Sequence, residues 1–310
     1  MVDLEPPEPR DGELRLRVLA AGVCRTDLAL LRSGPPAGPV TLGHEIVGEV
    51  DGRPVAVYEL IGCGRCAACA RGEDNLCRSG PPEVPGVTRD GGMAEQVVVP
   101  ARNVVELGDL DPAAAAPLTD AGMTALHAVE RARRWLTADA TAAVIGIGGL
   151  GHLAVQFIVA TSAARVVAVD VDRRRIDLAR ELGAAGGGLI GEDALEDCRP
   201  VDVVLDFVGS QQTLDLAAGA TARGGAIVVV GGGGGKLCIT AAMGAGRIPD
   251  REVTIIHTFG GGRRDLAKAL ELAAAGRVTT HVQRFALEDA GRALAALDAG
   301  QVLGRAVIVP

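Results

Sequence analysis

The chain has 310 residues, the length of about two domains, and its 48% of hydrophobic residues is enough for sizeable cores. A net charge of -8 and only 2% of aromatic residues disfavour a nucleic-acid partner, because phosphate binding needs clustered Lys and Arg and unpaired bases stack on aromatic rings. No apolar run approaches the roughly 20 residues that cross a bilayer, and the acidic N-terminus lacks a signal-peptide pattern, so we expect a cytoplasmic protein without membrane contact.

The first part of the chain, to about residue 117, predicts a mainly β domain. Short alternating apolar stretches recur there between Gly- and Pro-rich turns, as is typical of strands joined by tight loops. The predicted strands cover residues 14–19, 46–50, 55–57 and 95–99.

Cys24, His44 and Asp120 are candidate metal ligands. A lone histidine is more often a structural residue than a ligand, but here it shares its domain with Cys24, and an acid lies at Asp120. A trio of Cys, His and carboxylate that leaves one coordination position open is typical of catalytic zinc. Zinc in that state polarises a carbonyl group or lowers the pKa of a bound hydroxyl.

A second candidate metal site consists of four closely spaced cysteines. They are Cys63, Cys66, Cys69 and Cys77, with the spacing C-x2-C-x2-C-x7-C. Four thiolates leave no open position on a tetrahedral ion, so we expect a structural zinc in a lobe at residues 63–77. The alternative is disulfides in a secreted protein, which the missing secretory context disfavours. Cys198 and Cys238 are most simply core or surface thiols.

From about residue 118, helices and strands alternate, which indicates a doubly wound parallel sheet of the Rossmann type, covered on both faces. The predicted strands of this sheet cover residues 140–145, 166–170, 201–206, 226–230 and 253–257, and residues 305–309 are predicted as a final strand. The predicted helices cover residues 121–132, 150–162, 173–182, 265–276 and 287–300. The predicted fold class is therefore α/β, with a mainly β domain beside a parallel sheet.

A glycine-rich motif follows the first of these strands. Its residues are Gly146, Ile147, Gly148, Gly149, Leu150 and Gly151, and a predicted helix comes next. In a G-x-G-x-x-G motif the first glycine makes a tight turn, the second lets the backbone approach a pyrophosphate, and the third lets helix and strand pack closely. The N-terminus of the helix then faces the phosphates with free N–H groups.

Asp170 ends the next predicted strand, at about the 20-residue distance that a ribose-binding acid requires. Its charge would repel a 2′-phosphate, which favours NAD(H) over NADP(H). Arg173, Arg174 and Arg175 follow, and an arginine there could accommodate a 2′-phosphate. A glycine-rich turn that binds no cofactor is the remaining alternative.

The chain resembles the zinc-dependent medium-chain alcohol dehydrogenases, within the medium-chain dehydrogenase/reductase superfamily, over nearly its whole length. The matching motifs lie at residues 22–27, 43–45, 63–77, 117–122, 146–151 and 304–307. The resemblance implies a GroES-like catalytic domain at residues 1–120 and 260–310 and a dinucleotide-binding Rossmann domain at residues 121–259. It also implies two zinc ions per chain, NAD(H), a small-molecule alcohol or carbonyl substrate, and a homodimer or homotetramer.

The resemblance assigns the catalytic zinc to Cys24, His44 and Asp120. Glu45 would approach the metal, and Asp27 would orient the imidazole of His44, as carboxylates beside metal-bound histidines do.

The resemblance also assigns the proton transfer and the cofactor contacts. Thr26 would take the proton of the substrate hydroxyl, and Thr124 would press the nicotinamide into place. Arg25 and Arg305 would meet the pyrophosphate, and Arg175 the adenine-side ribose. The full set of implied cofactor contacts is Arg25, Thr124, Gly146, Gly148, Gly149, Leu150, Gly151, Asp170, Arg175, Val208, Gly231 and Arg305.

The chain departs from the family in three places. Ala29 stands where many members have the histidine that ends the proton relay. The segment from Val50 to Val55 is shorter than usual and the chain begins late, which suggests a trimmed catalytic domain. Met93 and Gln96 stand where aromatic residues are common.

We therefore expect an NAD-dependent zinc alcohol dehydrogenase that interconverts a primary or secondary alcohol and its aldehyde or ketone by hydride transfer. The missing relay histidine and the trimmed domain motivate one alternative, a pathway-specific reductase of an activated C=C, C=N or aldehyde. A non-catalytic protein that binds NADH is the other alternative.

Overall fold

The computed structural model describes residues 2–36, 38–192, 194–238 and 252–310. Two compact units make up the chain, Met1–Met123 with Gly260–Pro310 and Thr124–Phe259. The boundary between them falls within a helix, just after the division predicted at residue 120. Among the described residues, no helix has the length and apolar character that a bilayer crossing requires.

The described residues form thirteen strands and nine α-helices. The strands are β1 (Glu13–Val23), β2 (Glu45–Val50), β3 (Arg53–Val57), β4 (Gln96–Pro100), β5 (Val104–Glu106), β6 (Thr141–Ile145), β7 (Arg165–Asp170), β8 (Gly186–Leu189), β9 (Val201–Asp206), β10 (Thr221–Val229), β11 (Thr254–His257), β12 (Val282–Ala286) and β13 (Arg305–Val309). The helices are α1 (Arg25–Ser33), α2 (Ala67–Ala70), α3 (Pro112–Ala115), α4 (Ala121–Arg131), α5 (Gly151–Thr161), α6 (Arg173–Glu181), α7 (Gln211–Ala220), α8 (Arg263–Ala274) and α9 (Ala290–Asp298).

The first unit is built on a mostly antiparallel sheet in the order β12-β13-β1-β2-β3-β5, with β4 also paired to β1. The long strand β1 is its centre, because it pairs antiparallel with β2, β4 and β13. Alternating side chains of these strands, such as Leu16, Ile46 and Val97, form the buried core. The end of β1 therefore lies beside the starts of β2 and β13, which brings residues from three distant segments together.

The short segment between Val50 and Val55 is a tight hairpin. Val50 pairs with Arg53, so Asp51 and Gly52 form a two-residue loop. Their φ angles of 50° and 73° are both left-handed, as a type I′ turn requires. The shortening noted in the sequence thus leaves β2 and β3 joined by the most compact connection that antiparallel strands allow.

The second unit is a parallel sheet in the order β11-β10-β9-β6-β7-β8. From β6 the chain moves outward to β7 and β8, and it returns to the other side of β6 as β9. The carboxyl ends of β6 and β9 thus flank a topological switch point, where doubly wound sheets bind their ligands. The inner strands β6, β7 and β9 and the end of β10 are buried on both faces, which explains their nearly continuous apolar sequences.

Several elements lie outside the predicted set, among them α1, α7, β8 and β12. Strand β8 has the sequence Gly-Gly-Gly-Leu, which has little β propensity, yet it pairs with β7 at the edge of the sheet. Helix α7 begins after Ser210, whose side chain accepts a hydrogen bond from the backbone of Thr213. The helix predicted from residue 287 begins at Ala290, after one 3₁₀ turn.

Buried Asp74 connects the four-cysteine lobe to the rest of its unit. Its Oδ1 accepts hydrogen bonds from the backbone of Gly62 at 3.2 Å and from Arg102 at 3.1 Å. Its Oδ2 accepts from Arg263 Nε, at the start of α8, at 3.2 Å. The guanidinium of Arg263 also lies 4.5 Å from the centre of the Tyr58 ring, a cation–π contact.

Asp74→Asn should lower the free energy of unfolding by about 3 kcal/mol, because it removes the negative charge between two arginines at a buried position. Urea denaturation measures this change. The matched control is Glu271→Gln, which breaks an exposed ion pair with Lys268 and should change stability by at most about 0.5 kcal/mol. Equal stability of the Asp74→Asn variant and the wild type would contradict this account of the lobe.

Candidate metal and cofactor sites

The pairing of β1 with β2 and β13 determines the first site. Cys24 directly follows β1, and Gly22 pairs with Glu45 at the start of β2. Val23 pairs with Ala306, next to Arg305 at the start of β13. A Cβ atom on Gly22 would collide with the carboxylate of Glu45, so the strands approach this closely only because residue 22 is glycine.

Four of the predicted ligands converge in this unit. One ligand atom from each of Cys24, His44, Glu45 and Asp120 lies within 4.8 Å of the others. Cys24 Sγ is 3.7 Å from Asp120 Oδ2, and His44 Nε2 is 3.4 Å from the same oxygen. These separations are close to the roughly 3–4 Å expected between neighbouring ligands of one zinc ion with bonds of about 2.0–2.3 Å.

Asp27 contacts Cys24 and His44 from the other side of this ligand group. Its Oδ2 accepts a hydrogen bond from the backbone of Cys24 at 2.7 Å, and its Oδ1 lies 3.6 Å from His44 Nδ1. Helix α1 supplies the position, since Cys24 is its N-cap and Asp27 its third residue. His44 therefore presents Nε2 to the ligand group and Nδ1 to a carboxylate, as metal-binding histidines do.

The electrostatics of this site favour a cation. Burial alone would lower the pKa of the His44 imidazole, but Asp27 and Asp120 raise it well above its usual value. Burial alone would raise the pKa of the Cys24 thiol, yet Arg305 and His44 bring it below its usual value. Both shifts favour a thiolate and a positive charge at the same place.

The donor set fits zinc. Both carboxylate oxygens of Glu45 are buried, and within the described residues they make no hydrogen bond. Glu45 contacts the guanidinium of Arg305, which is itself 4% exposed. A thiolate, an imidazole and carboxylates around one point are the ligands of catalytic zinc.

Glu59 is a feature of this site that the sequence analysis missed. It is 4% exposed and its side chain hydrogen-bonds Asp120. Burial, and then the neighbouring Asp120, raise the pKa of the Glu59 carboxyl well above its usual value. The side chain of Asn103 donates hydrogen bonds to the carbonyls of Tyr58 and Leu60, which fixes the backbone on both sides of Glu59. The signal that the sequence offered for Glu59 was an acidic residue within the apolar segment that follows β3.

Thr26 and Ala29 lie on α1 and are both exposed. The hydroxyl of Thr26 is 3.6 Å from Cys24 Sγ, so it borders the ligand group. Arg25, predicted to meet the pyrophosphate, is also exposed at the start of α1. Met93 packs against two hydrophobic clusters of the first unit and is half-buried.

The four-cysteine lobe brings its sulfur atoms together. Cys66 Sγ is 3.5 Å from Cys69 Sγ, which is 3.9 Å from Cys63 Sγ, and Cys77 belongs to the same group. Ligands of a tetrahedral ion with Zn–S bonds of about 2.3 Å lie about 3.8 Å apart, so the group fits zinc. All four cysteines are free of disulfides.

The thiols of the lobe differ in acidity. Hydrogen bonds from Ser79 and from the backbones of Arg65 and Cys66 lower the pKa of Cys63 to about 5. Burial, together with the neighbouring sulfur atoms, raises the pKa of Cys69 to about 12. Some thiols of the lobe are thus ready ligands at neutral pH, whereas Cys69 needs a bound cation to ionise.

In the second unit, the glycine-rich motif joins β6 to α5. A Cβ atom on Gly151 would collide with the carbonyl of Gly146, whereas a Cβ on Gly148 would meet no atom within 4 Å. Gly149 and Leu150 are half-buried in the turn, and Leu150 is the N-cap of α5. The open space at Gly148 is room for a pyrophosphate, so the motif fits a dinucleotide.

Asp170 lies at the end of β7 beside this motif. Its Oδ2 accepts a hydrogen bond from the backbone of Ile147 at 2.6 Å, and its Oδ1 accepts from the backbones of Val171 and Asp172. Arg175 Nη1 lies 3.6 Å from Asp170 Oδ1. The acid thus connects the glycine-rich turn to the predicted ribose side of the site.

Val208 and Gly231 follow β9 and β10, at the same edge of the sheet as Gly146. A Cβ on Gly146 would touch the side chain of Val208, and a Cβ on Gly231 would collide with the backbone of residues 207 and 208. The structure therefore brings these three predicted residues together at the switch point. Thr124 is buried in the first turn of α4.

Comparison with known proteins decides the family. A family model described as an alcohol dehydrogenase GroES-like domain matches residues 10–109, and one described as a zinc-binding dehydrogenase matches residues 149–275. An NAD-dependent alcohol dehydrogenase of Sulfurisphaera tokodaii is 33% identical, over 99% of this chain and 95% of the relative. The chain belongs to the zinc-dependent medium-chain dehydrogenase family.

Two further relatives show how this family varies. The alcohol dehydrogenase of Aeropyrum pernix is similar in structure, with a TM-score of 0.90 and 35% identity over 100% of this chain and 96% of that one. The D-arabinose 1-dehydrogenase (NADP(+)) of Saccharolobus solfataricus is 31% identical over 99% of this chain and 93% of the relative. The predicted fold class, a GroES-like domain plus a Rossmann sheet, is confirmed.

Gly151→Ala should destabilise the protein by about 3 kcal/mol or more, since the added Cβ meets a backbone carbonyl that cannot move aside. The matched variant is Gly148→Ala, whose Cβ enters open space. It should keep the melting temperature of the wild type and bind NADH at least tenfold more weakly, because the methyl group occupies the approach to the pyrophosphate. Unchanged NADH affinity in Gly148→Ala, measured by fluorescence titration, would contradict the assignment of this turn.

Lobe zinc should be retained at pH 7 and released as the pH falls through about 5. Protons compete with the metal for thiolates, and the lowered pKa of Cys63 delays that competition until acidic pH. A chromogenic chelator can measure release in the His44→Ala variant, which removes a ligand of the other site. Cys198→Ser is the control and should leave the release curve unchanged, whereas Cys63→Ser should shift release to higher pH. Retention of the metal at pH 3 would disprove this interpretation.

Proposed function

We propose that this protein is an NAD-dependent zinc alcohol dehydrogenase, which interconverts a primary or secondary alcohol and its aldehyde or ketone. The observation that carries the proposal is the convergence of Cys24, His44, Glu45 and Asp120 within 4.8 Å in a member of this family. The relatives named as NAD-dependent alcohol dehydrogenases, which align over nearly their whole length, support the same reaction.

The residues of the first unit have separate proposed roles. Cys24, His44 and Asp120 would hold the catalytic zinc, and Asp27 would keep the imidazole of His44 oriented through Nδ1. When bound, zinc supplies a Lewis acid for the substrate oxygen, and the nicotinamide cofactor supplies the hydride chemistry. Glu45 would balance the charge of Arg305 beneath the site.

Thr26 is our candidate for proton transfer. Its hydroxyl is 3.6 Å from Cys24 Sγ, so it borders the metal ligands, and its exposure gives the proton a way out. Ala29, on the same helix, has no group that can relay a proton. We therefore propose that the proton leaves exposed Thr26 for water, without a histidine relay.

We propose NAD(H) rather than NADP(H) as the cofactor. Each of the three consecutive arginines that follow Asp170 is close to an acid. Arg173 contacts Glu192, Arg174 contacts Asp172, and Arg175 contacts Asp170. These contacts leave the positive charges balanced, whereas a 2′-phosphate would need an uncompensated arginine. The relative named for NADP(+) makes this a question for direct measurement.

Two zinc ions per chain are the metal content that we propose, one at Cys24, His44 and Asp120 and one in the lobe of four cysteines. Metal analysis of the purified protein tests this number directly. The functional roles of the predicted domains and a homodimer or homotetramer remain predictions from the family resemblance, and a cytoplasmic location remains a prediction from the N-terminal sequence.

Thr26→Val should lower kcat at least a hundredfold with a primary or secondary alcohol, because the isosteric valine cannot accept the proton. Steady-state oxidation of an alcohol panel with NAD, followed as NADH absorbance, measures this loss, while metal content and NADH affinity should be unchanged. The control is Ser33→Ala at the other end of α1, whose hydroxyl donates to the carbonyl of Ala29.

Unchanged turnover in Thr26→Val would remove that residue from the mechanism. Full activity in His44→Ala would disprove the zinc mechanism as a whole. Reduction of carbonyl compounds without any alcohol oxidation across the pH range would instead favour the reductase alternative.

A further inference from the structure

Glu59 is a buried acid that the proposed mechanism does not use. It is 4% exposed, in the segment between β3 and the four-cysteine lobe, and its side chain hydrogen-bonds Asp120. Burying a carboxyl group is costly unless it is hydrogen-bonded. The partner of Glu59 therefore indicates why an acid stands at this position.

The backbone around Glu59 is held by groups outside the metal site. The side chain of Asn103 donates to the carbonyls of Tyr58 and Leu60 at 2.6 and 3.1 Å, and its carbonyl accepts from the backbone of Tyr58 at 2.7 Å. The hydroxyl of Tyr58 donates to the carbonyl of Gly261 at 2.9 Å. Glu59 thus starts from a fixed backbone position.

Asp120 is the metal ligand that most needs a fixed partner. It lies between the 3₁₀ turn Ala116–Thr119 and α4, with a φ of -125° and a ψ of -70°, which are not helical angles. Its side chain is 16% exposed, whereas that of His44 is 4% exposed. Asp27 contacts both Cys24 and His44, so these two ligands already have a buried anchor.

The contacts of Asp120 show which of its oxygens faces the other ligands. Cys24 Sγ and His44 Nε2 both approach its Oδ2, at 3.7 and 3.4 Å. Arg305 Nη2 lies 3.9 Å from the same oxygen and attracts it as well. A hydrogen bond from a neighbour with a fixed backbone limits the rotation of this carboxylate, so that Oδ2 stays beside the other ligands.

The chemistry of a metal ligand decides which group donates. A hydrogen bond between two carboxyl groups contains one proton, and a carboxylate that binds a metal must be deprotonated. Asp120 is therefore the acceptor and Glu59 the donor.

We propose that Glu59 is a positioning residue of the metal site, whose carboxyl group donates a hydrogen bond to Asp120 and holds it as the third zinc ligand. This inference rests on the proposed zinc-dependent function and adds to it a residue that no sequence motif marks. The first unit would then anchor its ligands from two sides, with Asp27 behind Cys24 and His44 and with Glu59 behind Asp120.

The test compares Glu59→Leu with Glu59→Gln in the release of zinc to a chromogenic chelator at pH 7. Glu59→Leu should bind the zinc of this site about 10–100-fold more weakly, as is typical when a hydrogen-bond partner of a metal ligand is lost. Glu59→Gln, whose amide can still donate to Asp120, should retain most of the affinity. The His44→Ala variant lacks a ligand of this site, so its curve gives the contribution of the lobe and is subtracted.

Thermal unfolding separates positioning from a structural role. After the zinc of this site has been removed, Glu59→Leu should melt no lower than the wild type, because leucine suits the apolar segment and partly exposed Asp120 can bond water instead. A lower melting temperature would indicate a structural role. The matched control is Thr221→Val in the second unit, whose hydroxyl donates to the carbonyl of Ala217 at 2.7 Å. That control should melt at a lower temperature and release zinc as the wild type does.

Each outcome of the release experiment is decisive. If the wild type holds zinc in the lobe only, the proposed function is wrong, and this inference with it. If the wild type holds both ions and Glu59→Leu releases them as the wild type does, the role of Glu59 is wrong while the proposed function stands. Equal weakening in Glu59→Gln and Glu59→Leu would also overturn the role, because the effect would not depend on a hydrogen bond to Asp120.

Discussion

The antiparallel pairing of β1 with both β2 and β13 is the constraint on which the candidate catalytic site depends. It places Cys24 beside Glu45 and Arg305, which are far apart in the chain. The strands reach this register only because Gly22 leaves room for the carboxylate of Glu45. The buried contact between Glu45 and Arg305 then lies directly beside the metal ligands.

The charges around the Glu45–Arg305 contact explain why the site suits a cation. Asp27, Glu45 and Glu59 are all buried, and burying a carboxylate is costly unless a positive group compensates it. Asp27 and Asp120 raise the pKa of His44, whereas burial and then Asp120 raise that of Glu59. A divalent ion would compensate the carboxylates around it, so metal binding and the stability of this unit are linked through the same groups.

The second unit differs from the first, because its phosphate site contains few charged side chains. It relies on backbone N–H groups at the start of α5 and on the open approach that Gly148 provides. Both oxygens of the Asp170 carboxylate already accept hydrogen bonds from backbone N–H groups.

Features that are local in sequence could be predicted without a structure. The four cysteines lie within a short segment, so their spacing alone restricts them to one ion, and the glycine-rich turn is recognisable because the strand, turn and helix follow one another directly. The parallel strands were predictable because burial on both faces makes their sequences continuously apolar. Strand β8 escaped prediction, since three glycines carry no strand signal and the pairing with β7 alone makes them extended.

The lobe, the dinucleotide turn and the alternation of strands and helices thus follow from short stretches of sequence. Which distant side chains meet depends on how the strands pair and pack. Asp120 is 96 residues from Cys24, and the family resemblance, not the spacing, pointed to it. Glu59 carries no motif at all. Its importance depends on burial and on the nearby Asp120, which strand register and packing create and which no short stretch of sequence contains.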